Sequence, residues 1–277
     1  MSAINRSPRN FSPNYISSVI LLLSVFLHHN TSAVNLTCET RSGTARAQLI
    51  ELYTSEGCSS CPPADKWLSA LVPKVLTAEE VVPLAFHVDY WDRLGWRDRF
   101  ADPAYTARQH AYAKVSGSGF VFTPQVILAG RNYGAWSNNS RVQQDVRNAV
   151  AVAPDASIVL RQQAVASGRL EFEAHTQLRQ GASFSEVRVY AALFQNGLVS
   201  EVGRGENSGS RLRHDYVVRG LLASKAMDQS GQIKFKDRFV LPEDARVGEM
   251  GVAVFVQDVK TGVVLQAMAT SLCIVGK

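Results

Sequence analysis

Apolar residues fall along this chain in two successive regimes. Up to about residue 150, short apolar runs alternate with stretches of helical spacing. Ala47–Tyr53 reads as a first strand. From Asp65 to Val75, the residues Trp67, Leu68, Leu71, Val72 and Val75 share one helical face, with Pro62 and Pro63 suited only to the opening turn. Val81–Val88 is a second apolar strand. Asp102-Pro103 has the form of a helix cap followed by proline at the first position, and that helix runs through Tyr112 to Val115 before Ser116-Gly117-Ser118-Gly119 ends it. Val126–Gly130 is a buried-strand run whose hairpin partner, after Arg131-Asn132, is expected over Tyr133–Trp136. A last helix fits Ser140–Val150. Beyond Pro154 the pattern is strands, at 157–161, 169–175, 186–194, 213–219, 232–240 and 251–258, with turn chemistry at Asn196-Gly197, Gly205–Gly209 and Lys260-Thr261-Gly262. The first regime implies an α/β sandwich and the second a smaller all-β, sandwich-like region.

The first 33 residues follow neither regime. Arg6 and Arg9 form a basic start, Ile16–Leu27 is apolar apart from serines, and Thr31-Ser32-Ala33 offers small residues for cleavage. This is the pattern of a signal peptide over 1–33, the rival being an uncleaved anchor. The expected organisation is then a first domain over 34–152 and a second over 153–277. No later segment is long and apolar enough to span a bilayer. Losing Arg6 and Arg9 leaves 27 of the 29 basic residues against 24 acidic ones, a mild excess that makes no case for nucleic acid. Export, to a periplasmic or extracellular location, puts the four cysteines in an oxidising compartment. Cys38, Cys58, Cys61 and Cys273 allow three pairings; the economical one is a structural Cys38–Cys273 bridge, leaving Cys58 and Cys61 to each other.

Cys58-Ser59-Ser60-Cys61 stands between the first strand and the first helix. Two intervening residues let both sulfurs meet across the opening turn of a helix, whose N-terminal amides favour a thiolate. Half of a zinc site has the same spacing. The run Leu52-Tyr53-Thr54-Ser55-Glu56-Gly57-Cys58-Ser59-Ser60-Cys61-Pro62-Pro63-Ala64-Asp65 resembles the signature of an exported, largely uncharacterised family of thioredoxin-like proteins. The likeness continues through His87-Val88-Asp89-Tyr90-Trp91-Asp92, Gly95-Trp96, Thr106-Ala107-Arg108-Gln109, Tyr112, Thr123-Pro124-Gln125, Gly205-Glu206-Asn207 and Val217-Val218-Arg219, nearly the whole mature chain.

That resemblance implies an α/β thioredoxin-like sandwich followed by a β domain, and thiol–disulfide exchange on protein thiols or disulfides with no dissociable cofactor. Cys58 would attack from an exposed position at the helix tip and Cys61 would resolve. Pro124, in a cis bond to Thr123, would face the pair. The chain departs from thioredoxin itself in having Gly57 before the first cysteine, Ser-Ser between the two, and Glu56 close by.

Other residues carry alternatives. His87 is either a satisfied core residue or, with Cys58 and Cys61, a copper ligand in a metal-handling protein. A third reading makes the CxxC a non-catalytic staple in a binding protein. Asp89 is either a turn residue or a proton carrier for the resolving thiol. Trp91, Trp96 and Thr123 line a substrate groove or plug the core. Gly205-Glu206-Asn207 and His214 fall on later loops, expected there to contact the first domain, and nothing in their spacing points to catalysis. No nucleophile elbow, phosphate loop or His-Glu-x-x-His motif occurs.

Overall fold

The computed structural model describes residues 1–3 and 36–274. The chain divides into Met1–Val34 and Asn35–Lys277, and the architecture below is that of the second unit. The leader expected over 1–33 lies, beyond its first three residues, outside the described residues. Among the described residues no helix is long and apolar enough to cross a membrane.

In chain order the elements are β1 (Thr37–Arg41), β2 (Gln48–Thr54), α1 (Pro62–Lys74), β3 (Val81–His87), α2 (Pro103–Ser116), β4 (Gln125–Leu128), β5 (Arg131–Asn132) and α3 (Asn139–Val150). Strands then follow: β6 (Ala156–Gln163), β7 (Arg169–Leu178), β8 (Val187–Gln195), β9 (Leu198–Glu201), β10 (Arg211–His214), β11 (Val217–Leu221), β12 (Lys225–Ala226), β13 (Gln232–Val240), β14 (Met250–Asp258) and β15 (Val264–Ser271). A 3-10 helix covers Asp89–Leu94.

A nine-stranded sheet organises the unit, in the order β15-β14-β8-β11-β3-β2-β4-β5, with β12 paired to β8. β2 runs parallel to β3 and antiparallel to β4, and β11 enters parallel to β3 through Val217 opposite Ala85. Strands from before and after residue 152 therefore share one sheet. β2, β3 and β14 are buried at every position because both of their faces are covered. On one face, Leu49, Tyr53 and Phe86 pack with Tyr105 and Tyr112 of α2 and with Phe255. On the other, Ile50, Leu52 and Val126 meet Leu68 and Leu71 of α1 and Val142 and Val146 of α3.

A second sheet, β1-β6-β7-β13, has four strands. It buries Leu160, Leu170 and Phe172 against Val252, Val254 and Leu265 of the large sheet. The fold is mixed α/β, mostly sheet, and among the described residues neither sheet closes into a barrel. Cys38 of β1 is bonded to Cys273, just past β15, with Cα atoms 5.8 Å apart.

Local signals set several boundaries. Asp102 caps α2 by accepting from Ala104 N at 2.8 Å, and Asn138 caps α3 by accepting from Arg141 N at 3.1 Å. α1 starts at Pro62, three residues before the expected Asp65, because a helix's first turn lacks intrahelical acceptors for its N–H groups and so tolerates both prolines. The partner of β4 is Arg131–Asn132 and not Tyr133–Trp136: the turn is Ala129-Gly130, both at positive φ (48° and 89°), the two-residue hairpin form. A Cβ on Gly130 would lie 1.7 Å from the Gly262 carbonyl oxygen, so only glycine fits that approach. The strand expected over 213–219 is interrupted at Asp215-Tyr216. The chain there leaves the β9–β10 hairpin and enters the large sheet.

Candidate functional site

The loop between β2 and α1 carries a Cys58–Cys61 disulfide with Cα atoms 5.4 Å apart. Cys61 is the residue before α1, and its carbonyl accepts from Ala64 N and Asp65 N at 2.9 and 3.1 Å. The bond thus sits at the positive end of the helix dipole. Ser59 and Ser60 are exposed, whereas both cysteines are fully buried. This corrects the expectation of an exposed Cys58, and the hydrogen bonds that hold its loop come from residues 147 to 151 positions along the chain. The loop joining β9 to β10 is laced onto the cysteine loop. Asn207 Nδ2 donates to the carbonyls of Glu56 and Cys58 at 2.9 and 3.0 Å, and Glu206 Oε2 accepts from Ser59 N and Oγ at 3.0 and 2.7 Å. Those two bonds hold the Glu206 carboxyl below its ordinary range.

The Thr123–Pro124 peptide bond is cis. Gln125 lies opposite Tyr53, so Pro124 is at the same end of the sheet as the cysteine loop. Trp91 links the two: a Cβ on Gly57 would come within 3.2 Å of Trp91 Cβ, and Trp91 Nε1 donates to Thr123 Oγ1 at 2.8 Å. Trp96 Nε1 donates to Glu56 Oε2 at 2.7 Å. Both tryptophans are half-buried braces with their N–H groups engaged. The exposed aromatic rings near Pro124 belong instead to Phe120 and Phe122, at 68% and 40% exposure. Asp89 stands at the start of the 3-10 helix, and Thr106 Oγ1 of α2 donates to its carboxylate at 2.5 Å.

Behind the disulfide lies a buried polar cluster of which the sequence reading identified only His87 as a candidate. His87 Nδ1 is 2.6 Å from Asp98 Oδ2, and both side chains are fully buried. Asp98 also accepts from the amides of Glu56 and Phe100, each at 2.9 Å. Burial pushes the Asp98 carboxyl up, but the His87 ring and those amides outweigh it and bring it below the ordinary range. His214, on β10, stacks edge-on against His87 with ring centroids 4.9 Å apart. Its Nε2 is 3.5 Å from Glu56 Oε1 and its Nδ1 is 3.8 Å from Asp65 Oδ1. Burial opposes a charge on this ring, yet the Asp65 and Glu56 carboxylates prevail and push its pKa up to about 9. Burial likewise raises Glu56, while His214 and Trp96 draw it below its ordinary value. The Glu56 carboxylate is therefore engaged by Trp96 and faces His214. Asp98 lies between Arg97 and Arg99 and His214 between Arg213 and Asp215, so their own neighbours do not mark them as buried. Nothing local joins them.

Residues 49–257 match the family model described as a protein of unknown function, DUF1223. The chain belongs to the DUF1223 family. Among solved structures, a protein from Agrobacterium tumefaciens is 26% identical, with 83% of this chain and 96% of that chain covered and a TM-score of 0.58. HBP35 of Porphyromonas gingivalis shares the fold at 14% identity, with 85% and 79% covered and a TM-score of 0.63. No curated protein matches the chain.

A second buried network in this DUF1223 chain holds α2 to the sheet. Arg108 forms a two-pronged pair with Glu51, its Nε and Nη2 donating at 2.7 and 2.9 Å, and the Tyr112 hydroxyl also donates to Glu51. Gln257 joins through Tyr112 and Arg108. Every member is partnered, which marks it as architecture. The cysteine loop differs: it combines a reducible bond, a helix N-terminus and a hydrogen-bonded cover.

Proposed function

We propose that this DUF1223 chain is an exported, thioredoxin-like thiol–disulfide oxidoreductase acting on protein thiols or disulfides through Cys58 and Cys61. The observation that carries the reading is a Cys58–Cys61 disulfide at the N-terminus of α1, at the sheet end that also bears the cis Thr123–Pro124 bond. The strand order β3-β2-β4-β5, with only β2 and β3 parallel, adds support. So do α1 and α3 on one face with α2 on the other, the placement expected of a thioredoxin-like domain. In this reading residues 34–152 are the redox domain, and 153–277 form a β domain whose 205–209 loop covers the pair.

The step is a two-electron exchange. In the reduced protein the Cys58 thiolate attacks a substrate disulfide, forming a mixed disulfide and expelling one substrate thiolate. The Cys61 thiolate then attacks the Cys58 sulfur, releases the second substrate thiolate and restores the Cys58–Cys61 bond. The protons of the dithiol end on the substrate thiols, and the reverse sequence oxidises a substrate. Phe120 and Phe122 offer apolar contact for an extended segment beside Thr123. Cys61→Ser is expected to trap partners on Cys58, and Cys58→Ser to abolish trapping.

Full burial of both cysteines favours a second reading, a static staple. A redox titration with thiol trapping separates the two. A reduction potential below roughly −300 mV, with no trapped partner, would leave the staple.

A further inference from the structure

We propose that Asp65, His87 and His214 form a binding site for a divalent first-row transition ion of the zinc class, separate from the cysteines. One carboxylate oxygen of Asp65 and one ring nitrogen of each histidine lie within 4.8 Å of one another, and all three residues are buried. Two imidazoles and a carboxylate are a donor set that suits such ions. Ligand atoms around a tetrahedral ion with bonds of about 2.0–2.1 Å are about 3.3 Å apart. The 3.8 Å between Asp65 Oδ1 and His214 Nδ1 needs a contraction of about 0.5 Å, and a pair at the 4.8 Å bound would need about 1.5 Å.

The hydrogen bonding leaves these atoms free and aimed. His87 Nε2 has no hydrogen-bond partner, and the two nitrogens of His214 face Asp65 and Glu56 beyond hydrogen-bond geometry. A buried polar atom without a hydrogen-bond partner carries a desolvation penalty, so His87 Nε2 and the Nδ1 of His214 that faces Asp65 call for a ligand. Each ligand is also held from behind. Asp98 engages His87 Nδ1, which fixes the tautomer with a bare Nε2 and is itself clamped by two backbone amides. Thr54 Oγ1 donates to Asp65 Oδ2 at 3.1 Å and leaves Oδ1 facing His214. Glu56 faces the far nitrogen of His214. A carboxylate behind a ligating imidazole is the usual outer shell of a zinc site. Asp65 and His214 also border a surface cavity of 370 Å³ together with Pro62 and Ser69, on the solvent side of the cluster from fully buried His87. The ion would tie α1, β3 and β10 together behind the disulfide. The competing arrangement has a proton on His214 as the cation between Asp65 and Glu56.

The test uses the mature, disulfide-intact protein, stripped with chelator and titrated with Zn²⁺ by calorimetry, with metal content and the zinc-edge X-ray absorption spectrum recorded. The expected result is one ion per chain, with imidazole and oxygen scattering and no sulfur. His87→Gln and His214→Gln should weaken binding at least 100-fold. Asp98→Asn should weaken it about 10–100-fold, as outer-shell changes do. Exposed His110→Gln should leave it unchanged. If the buried variants do not fold, the wild-type stoichiometry and spectrum decide. Stoichiometry well below one, sulfur in the spectrum, or full binding by a folded His214→Gln variant would overturn the site. The first of these outcomes would leave the proton in its place. None of the three bears on the redox reading, which the thiol titration tests.

Discussion

Asn207→Ala isolates the cover over the disulfide. Asn207 is 8% exposed and spans from the β9–β10 loop to two carbonyls of the cysteine loop. Each such bond is worth about 0.5–1.5 kcal/mol net, so removing both costs the closed loop about 2 kcal/mol relative to an open one. At about 1.4 kcal/mol per factor of ten, the open population rises about 30-fold. Both cysteines are buried when the loop is closed, so alkylation requires opening. When reclosing is faster than modification, the rate follows the open population. The assay is iodoacetamide modification of the dithiothreitol-reduced protein at fixed pH, followed by mass spectrometry. Cys58 in Asn207→Ala should react about 30-fold faster than in the wild type, whereas Ser208→Ala, which loses an exposed hydroxyl bonded within its own loop, should change the rate less than about two-fold. Urea unfolding of both variants checks that global stability does not account for the difference. A folded Asn207→Ala protein with a wild-type alkylation rate would refute the reasoning that this loop gates the thiols.

Glu51→Gln leaves Arg108 buried without its counter-charge and should cost about 3–5 kcal/mol. That is a fall of roughly 6–20 °C in Tm by calorimetry, and a double change to Leu at 51 and Met at 108 should lose less than the single change. Cys38→Ser with Cys273→Ser opens a span of 235 residues. The chain-entropy model predicts a loss of about 5 kcal/mol, read from urea unfolding under non-reducing conditions, and a loss below about 1 would mean that native packing carries the closure. Glu206→Gln keeps the acceptor for Ser59 but removes a negative charge beside the cysteine loop. The Cys58 thiolate should then form more readily, with the midpoint of alkylation against pH moving down by a few tenths of a unit, about what an exposed charge delivers. A midpoint that rises would reverse the sign of the argument.

The elements that were legible in the sequence are those whose causes are local. β2, α1 and β3 follow from apolar runs, helical spacing and two prolines at a helix start. α2 begins behind the Asp102 cap that its sequence announces, whereas α3, expected from Ser140, begins at Asn139 behind an Asn138 cap. The cysteine spacing and Thr123-Pro124 marked the candidate site for the same reason. The hairpin after β4 closes earlier than its pattern predicts because Ala129-Gly130 takes the two-residue turn, at a point where Gly262 leaves no room for a Cβ on Gly130. β1, β9, β12 and β15 went unread because pairing, not their own pattern, makes them strands.

Tertiary structure alone decided what surrounds the disulfide. Asn207 lies 149 positions from Cys58, and His214 belongs to a hairpin far along the chain from Asp65 and His87, so no periodicity or spacing rule connects them. Their meeting depends on β11 entering the sheet beside β3, which carries β10 over α1. A sequence determines directly what residues do to their neighbours within a turn or a strand. The burial of Cys58 and the convergence of Asp65, His87 and His214 are properties of packing between segments, and they exist only once the sheet has brought those segments together.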